Sequence, residues 1–248
     1  MEYLIILIIC TIGGFAAGMT SFGYAIICMV LMPLFVSVKT ATLVTLTTSF
    51  VIYMVILYGS IIKMKVRLSI SMIMIPMLGS LVGRFMGNRL FQNLTNLQLV
   101  LLLCVFMVLL NIYFFAFSNG FYLKKNNKNA LIAGTICGLF GGLNNVGGPP
   151  MVAYMYSVEQ DRIKYTSYLQ IIFLVGALYS LQYHIRLGNI THDILSYTLV
   201  GGVGVALGTY AGYKYFKVIN KEKLTVYIRN FIFVTSVVLI IKTVVDIL

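Results

Sequence analysis

Tryptophan is absent from this 248-residue chain, charged residues make up only 10% of it, and acidic residues number six against 18 lysines and arginines. Soluble domains carry roughly 25% charged residues, so little of this chain's surface meets water. No Asp or Glu falls at the centre of an apolar run, which argues against a carboxylate proton relay or a cation cage inside a membrane. There are two histidines, His184 and His192, both flanking one loop. The four cysteines, Cys10, Cys28, Cys104 and Cys137, stand singly in apolar segments; without C-x-x-C or Cys/His spacing, neither a disulfide framework nor a metal site is indicated. No cofactor is expected. A glycine loop of the form G-x-x-x-x-G-K-[ST] is missing, which removes nucleotide hydrolysis within the chain. Without a buried Asp, Glu and His constellation, general acid–base catalysis has no titratable groups to use, so the chain does not read as an enzyme.

What is present is apolar: 60% of residues are hydrophobic and the mean hydropathy is +0.97. These values define an integral membrane protein. The net charge of +12 sits in short loops between apolar runs, the pattern of positive-inside insertion rather than of nucleic-acid binding. Runs at 38–60, 68–90, 96–117, 162–184, 191–215 and 223–247 are each long enough for the roughly 20 residues that cross a bilayer as a helix. Segments 2–35 and 130–157 differ: each has an apolar run, a glycine-rich break, and a second short run closed by Pro33 or Tyr156. One straight helix of 34 residues would be about 50 Å long, so two half-length helices in a re-entrant hairpin are expected at each. The opening segment lacks a basic flank and recurs internally around Leu131–Gly142, so it is expected to be retained rather than cleaved as a signal peptide.

The breaks mark a duplication. Shifted by 124 residues, Gly14, Gly18 and Gly23 fall on Gly138, Gly142 and Gly147; shifted by 125, Gly79, Gly83 and Gly87 fall on Gly204, Gly208 and Gly212. The second set forms small-x-x-x-small ladders that allow close helix contact in lipid. Residues 1–124 and 125–248 therefore read as two repeats in one membrane-embedded domain. The expected fold class is an all-α integral membrane protein of two inverted repeats, each a Gly-broken re-entrant hairpin plus three transmembrane helices. Loop charge supports inversion: the hairpin arrangement puts 13 basic residues on one face and five (Lys39, Arg84, Arg89, Arg186 and Lys242) on the other. Eight full spans would split them 10 against 8, a weaker bias than the positive-inside rule expects. Both termini then lie outside.

An interrupted helix in hydrocarbon needs partners for its freed backbone groups, and the half-helix after a break presents N–H donors and a positive dipole end. Such ends suit an anion. In the first half the donors lie near Thr20, Ser21, Phe22, Gly23 and Tyr24; in the second, near Asn144, Asn145, Val146, Gly147 and Gly148, with Pro149 and Pro150 in the first helical turn. Paired transporter repeats place substrate sites at such breaks near the midplane. Gly13, Gly14, Gly134 and Gly138 fit helix packing better than a site. Ser21, Gly23, Asn144, Asn145, Gly147 and Gly148 fit a site better, because paired asparagines in an apolar run are otherwise costly. Gln170 is a further candidate, although interhelical hydrogen bonding explains it as well. Arg84 lies near the end of its segment and is expected to reach back to the interface.

The same two stretches resemble the signatures of the sulfite exporter family of TauE/SafE type (4-toluene sulfonate uptake permease-type transporters). The first resembles G-x-T-G-F-G and stands here as Gly18-Met19-Thr20-Ser21-Phe22-Gly23, with Ser21 in place of the second glycine. The second resembles G-L-x-G-x-G-G-P-P and runs from Gly138 to Gly147-Gly148-Pro149-Pro150, with Asn144-Asn145 departing from the usual small residues. The resemblance spans nearly the whole chain and implies secondary transport of small sulfur-containing or organic anions.

The expected function is a secondary transporter of a small anion, such as sulfite or an organosulfonate, working by alternating access. Its substrate would be held by Thr20, Ser21, Phe22, Gly23, Tyr24, Asn144, Asn145, Gly147, Gly148 and Gln170. Phe22, Tyr24 and Tyr154 would line or gate the path. The alternatives are a passive anion channel of the same fold and a membrane assembly subunit. The expected partners are a small anion and the bilayer, with no nucleic acid, and pairing into a homodimer is left open. The high content of Lys, Asn and Ile suggests the cytoplasmic membrane of a prokaryote.

Overall fold

A computed structural model describes residues 2–63, 65–116 and 123–216, with residues 230, 233–234, 236–238, 240–241 and 243–245. The described residues form helices joined by short turns: α1 (Glu2–Thr20), α2 (Tyr24–Leu31), α3 (Val38–Leu57), α4 (Ser71–Asn93), α5 (Asn96–Ala116), α6 (Asn127–Asn144), α7 (Gly148–Val158), α8 (Arg162–Arg186) and α9 (His192–Phe216). A 3-10 turn, Met32–Leu34, follows α2, and a π-helical stretch, Tyr58–Lys63, continues α3. The expected span at 223–247 falls mostly outside the described residues.

Local chemistry sets several boundaries. Ser37 Oγ accepts from the Thr40 amide at 3.1 Å to start α3, and Asn126 Oδ1 accepts from the Asn129 amide at 2.7 Å to start α6. Asp161 Oδ1 accepts from Ile163 and Lys164 at 2.9 and 3.1 Å to start α8. Each cap satisfies donors that the first helical turn leaves open. By length and hydropathy, α1, α3 with its π extension, α8 and α9 are each able to cross a membrane. With 19 residues, α1 is about 28 Å long at 1.5 Å per residue. The first arm of each broken segment thus exceeds the half-length expected, and its second arm is shorter, 8 residues in α2 and 11 in α7. The reason lies in packing: Gly13, Gly14 and Gly18 stay helical because the close contacts they permit offset their weak helix propensity.

Those contacts organise the fold. A Cβ on Gly14 would lie 2.8 Å from the Val205 carbonyl of α9, and one on Gly18 would strike Thr209; in return Gly208 and Gly212 lie against Thr11 and Phe15 of α1. The partnership of α4 with α6 is built the same way. A Cβ on Gly79 would lie 2.6 Å from the Leu131 carbonyl, while Gly134 and Gly138 press on Pro76 and Ser80. Thus α1 of the first half pairs with α9 of the second, and α6 of the second pairs with α4 of the first. Between these pairs α3 and α8 touch one another, with α3 also against α9 and α8 also against α4.

Gly138→Leu is expected to destabilise the protein by more than about 3 kcal/mol, because the new side chain meets helix backbone that cannot move aside. Gly202→Leu, where the nearest atom to a new Cβ is Val51 Cγ2 at 4.0 Å, is expected to be tolerated. Melting of the two variants in detergent, read by fluorescence-detected size exclusion, checks the contrast.

Candidate functional site

Both breaks turn on the same residue of their segments. Ser21, just past α1, has φ 69°, and Asn145, just past α6, has φ 56°. These positions are 124 residues apart and both are left-handed. That conformation favours glycine and, after it, Asn. Ser21 therefore occupies a position where glycine fits without strain, and Asn145 is a residue that tolerates the geometry. Gly23, at φ 96°, completes the first turn; at the second, any Cβ on Gly147 would collide with the Cys137 carbonyl of α6.

Side chains then pin each turn. The Thr20 hydroxyl donates to the Phe22 carbonyl, closing the first break on itself. From α8, Gln170 Nε2 donates to the Ser21 carbonyl at 2.8 Å, and Thr166 Oγ1 meets Ser21 Oγ at 2.8 Å. At the second break Asn144 Nδ2 donates to the Leu99 carbonyl of α5 at 3.3 Å.

The breaks meet around a cavity of about 60 Å³. At about 10–15 Å³ for each water-sized group, it has room for roughly four. Ser21, Phe22, Gly23 and Tyr24 line it from the first break, Asn145 through Pro149 from the second, Ser49 and Tyr53 from α3, and Gln170 and Phe173 from α8. Of the ten expected site residues, eight are brought together here: Ser21, Phe22, Gly23, Tyr24, Asn145, Gly147, Gly148 and Gln170. Thr20 and Asn144 do not line the cavity and instead tie the turns. The Tyr24 hydroxyl is bonded to Thr48 Oγ1 and lies 3.4 Å from Cys10 Sγ, so its polar end is committed to the protein interior. Tyr154 is buried but not in the wall. Backbone donors are unevenly supplied. The first-turn residues Tyr24, Ala25 and Ile26 of α2 line the cavity, whereas in α7 the first residue, Gly148, is followed by Pro149 and Pro150, which have no N–H.

Arg84 changes the electrostatics. Instead of reaching the interface it is only 4% exposed and lines the cavity. Its guanidinium lies between two glycines: a Cβ on Gly141 of α6 would be 3.1 Å from Nη2, and one on Gly176 of α8 would be 2.5 Å from Nε. Nη1 donates to Ser180 Oγ at 2.9 Å and to the Gly141 carbonyl at 3.3 Å, and Ser180 in turn donates to Asn88 Oδ1 at 3.1 Å. Among the described residues, Nε has no hydrogen-bond partner and no carboxylate lines the cavity. Its place was signalled in sequence by its spacing: Ser80, Arg84 and Asn88 recur every four residues, which puts three polar side chains on one face of α4, and all three are buried.

These features define a multi-pass helical membrane protein with a cavity of mixed backbone, amide and guanidinium character. The chain belongs to the Sulfite exporter TauE/SafE family, whose model matches residues 6–243, and so to a family of membrane transporters of the sulfite and anion exporter type. No curated protein and no solved structure matches the chain.

If left-handed geometry is what position 145 requires, Asn145→Gly keeps folding stability within about 1 kcal/mol, while Asn145→Val loses about 1–2 kcal/mol. Thermal melting of both variants without ligand checks this.

Proposed function

We propose that this chain is a secondary transporter that moves a small anion (sulfite, an organosulfonate or a similar sulfur-containing or organic anion) across the cytoplasmic membrane by alternating access. The observation that carries the reading is Arg84, a buried guanidinium with no carboxylate partner among the described residues, in a cavity walled by both helix breaks. A buried unpaired charge is costly, and an anion in the cavity supplies its counter-charge. At 4 Å and an effective dielectric of about 20, that attraction is about 4 kcal/mol before desolvation is counted. The α2 amides, Asn145 and the Gly147–Gly148 backbone complete the binding shell, and Ser21 and Gln170 hold the first break in place.

The reciprocal pairing of α1 with α9 and of α6 with α4 supports two inverted repeats, each a broken segment followed by three spans, with the cavity where they meet. The loop charges support both termini outside. In this reading the substrate site belongs to both halves, and rocking of one against the other exposes it to each side in turn.

Reconstituted in liposomes, the protein is expected to show saturable uptake of radiolabelled sulfite or of a sulfonate. Arg84→Gln is expected to lower uptake at sub-saturating anion by about 100-fold and Arg84→Lys by less, since tenfold corresponds to about 1.4 kcal/mol. Both variants should melt as folded protein. Unchanged uptake by folded Arg84→Gln, or transport of cations only, would overturn the reading; large unitary anion conductance would replace the carrier by a channel.

A further inference from the structure

Gln170 offers the cavity something an anion site does not ordinarily want. Its side-chain amide has a fixed orientation: the partner at 2.8 Å is the Ser21 carbonyl, which only accepts, so the nitrogen must face it and the oxygen is the free end. Gln170 is 1% exposed, and Oε1 is buried without a hydrogen-bond partner. One turn earlier on the same helix, Thr166 holds Ser21 a second time, so the amide cannot turn over without losing a turn that α8 secures at two points. Arg84 and Gln170 both line the cavity, and each carries a buried polar atom with no hydrogen-bond partner among the described residues: a cationic donor, Nε, and a neutral acceptor, Oε1.

We infer that the site selects a monoprotonated oxyanion, a ligand that carries one negative charge and one O–H, with Gln170 Oε1 accepting the ligand's hydrogen bond. This rests on the anion-transport reading above and specifies the ligand within it. The ionised oxygens take the Arg84 guanidinium and the α2 amides. The hydroxyl satisfies Gln170 Oε1, an acceptor with no partner among the described residues. A fully ionised dianion places lone pairs against the Gln170 oxygen and exceeds the single positive charge of Arg84. A sulfonate carries the right charge but no proton, leaving the acceptor buried and bare, and sites built to bond a ligand hydroxyl discriminate strongly against analogues that lack it.

No protein group in the wall confuses a pH measurement near neutrality. The titratable lining residues are Tyr24 on α2, Tyr53 on α3, Arg84 on α4 and Cys137 on α6, with no Asp, Glu or His among them. The nearby tyrosines are Tyr154 and Tyr156 on α7, Tyr58 after α3, and Tyr165 and Tyr168 on α8 itself. His184, the one histidine on α8, is 14 residues from Gln170 but one turn beyond Ser180, which holds Arg84, so it is the imidazole that the test must control for.

The test is calorimetric binding to the purified full-length protein with two probes, sulfite and methanesulfonate, across a pH series that spans the second ionisation of sulfite. Sulfite affinity is expected to track its monoprotonated fraction, falling about tenfold for each pH unit above that ionisation. Methanesulfonate should be pH-independent and about tenfold to a hundredfold weaker than hydrogensulfite. Gln170→Leu should bring the two ligands within a few-fold of each other, and His184→Gln should leave the sulfite pH profile in place. The wild-type ligand comparison decides even if Gln170→Leu does not fold. Equal affinity for both probes, or sulfite affinity that follows the dianion, overturns the inference while Arg84-dependent binding leaves the transport reading standing. Absence of binding by either anion removes the transport reading itself.

Discussion

Backbone-to-backbone contact between helices is the constraint on which this structure rests. In a bilayer, burying apolar side chains gives two helices little reason to associate, because lipid is as apolar as leucine; close packing and interhelical hydrogen bonds must do it instead. Here the close packing is concentrated in two seams, α1 on α9 and α4 on α6, where glycines on both partners face carbonyls of the other. Each seam joins a helix from one half of the chain to a helix from the other. The ends of α1 and α6 are thereby held where both breaks can wall one cavity.

The same use of glycine makes room for charge. Gly141 and Gly176 flank the Arg84 guanidinium so closely that a methyl group on either would crowd it. The slot is furnished on its far side by Ser180 and Asn88, which orient one guanidinium nitrogen and leave Nε unbonded. A protein optimised for stability alone would gain by replacing such a buried, carboxylate-free cation with an apolar side chain. That this one builds glycine clearance and a hydroxyl–amide relay around it is an argument for a ligand.

Much of the arrangement was legible in sequence because backbone constraints leave marks that survive without an alignment. The glycine pairs at shifts of 124 and 125 residues correspond to the two seams, and the interrupted segments to the two turns. Where the helices stop was not legible, since Gly13, Gly14 and Gly18 read as breakers in isolation but are held helical by a partner distant in sequence. Ser21 and Asn145 read in sequence as residues that would hold the substrate, whereas their left-handed φ values first explain them as turn residues. Thr20 and Asn144 also proved to be structural ties. Arg84 was misplaced because distance from a segment's end is a poor guide to which face a residue occupies. Its four-residue spacing from Ser80 and Asn88 was the better guide, since all three share one polar face of α4.

The charge balance of the cavity bears on how such a protein would move. With nothing bound, Arg84 leaves one uncompensated positive charge at a site walled by both halves, and any rearrangement that carries it through a low-dielectric path meets the desolvation cost of a lone ion. One bound monoanion neutralises it, and a ligand hydroxyl on Gln170 gives that residue's orphan acceptor a partner. The loaded cavity is then free of both unpaired charge and unpaired polar atoms at these two residues. Rearrangement is thereby favoured with ligand aboard and disfavoured without it. A second negative charge would undo that advantage, leaving a net anion in place of a net cation. A single guanidinium thus ties ligand charge to ligand movement, which a wall of neutral donors alone would not.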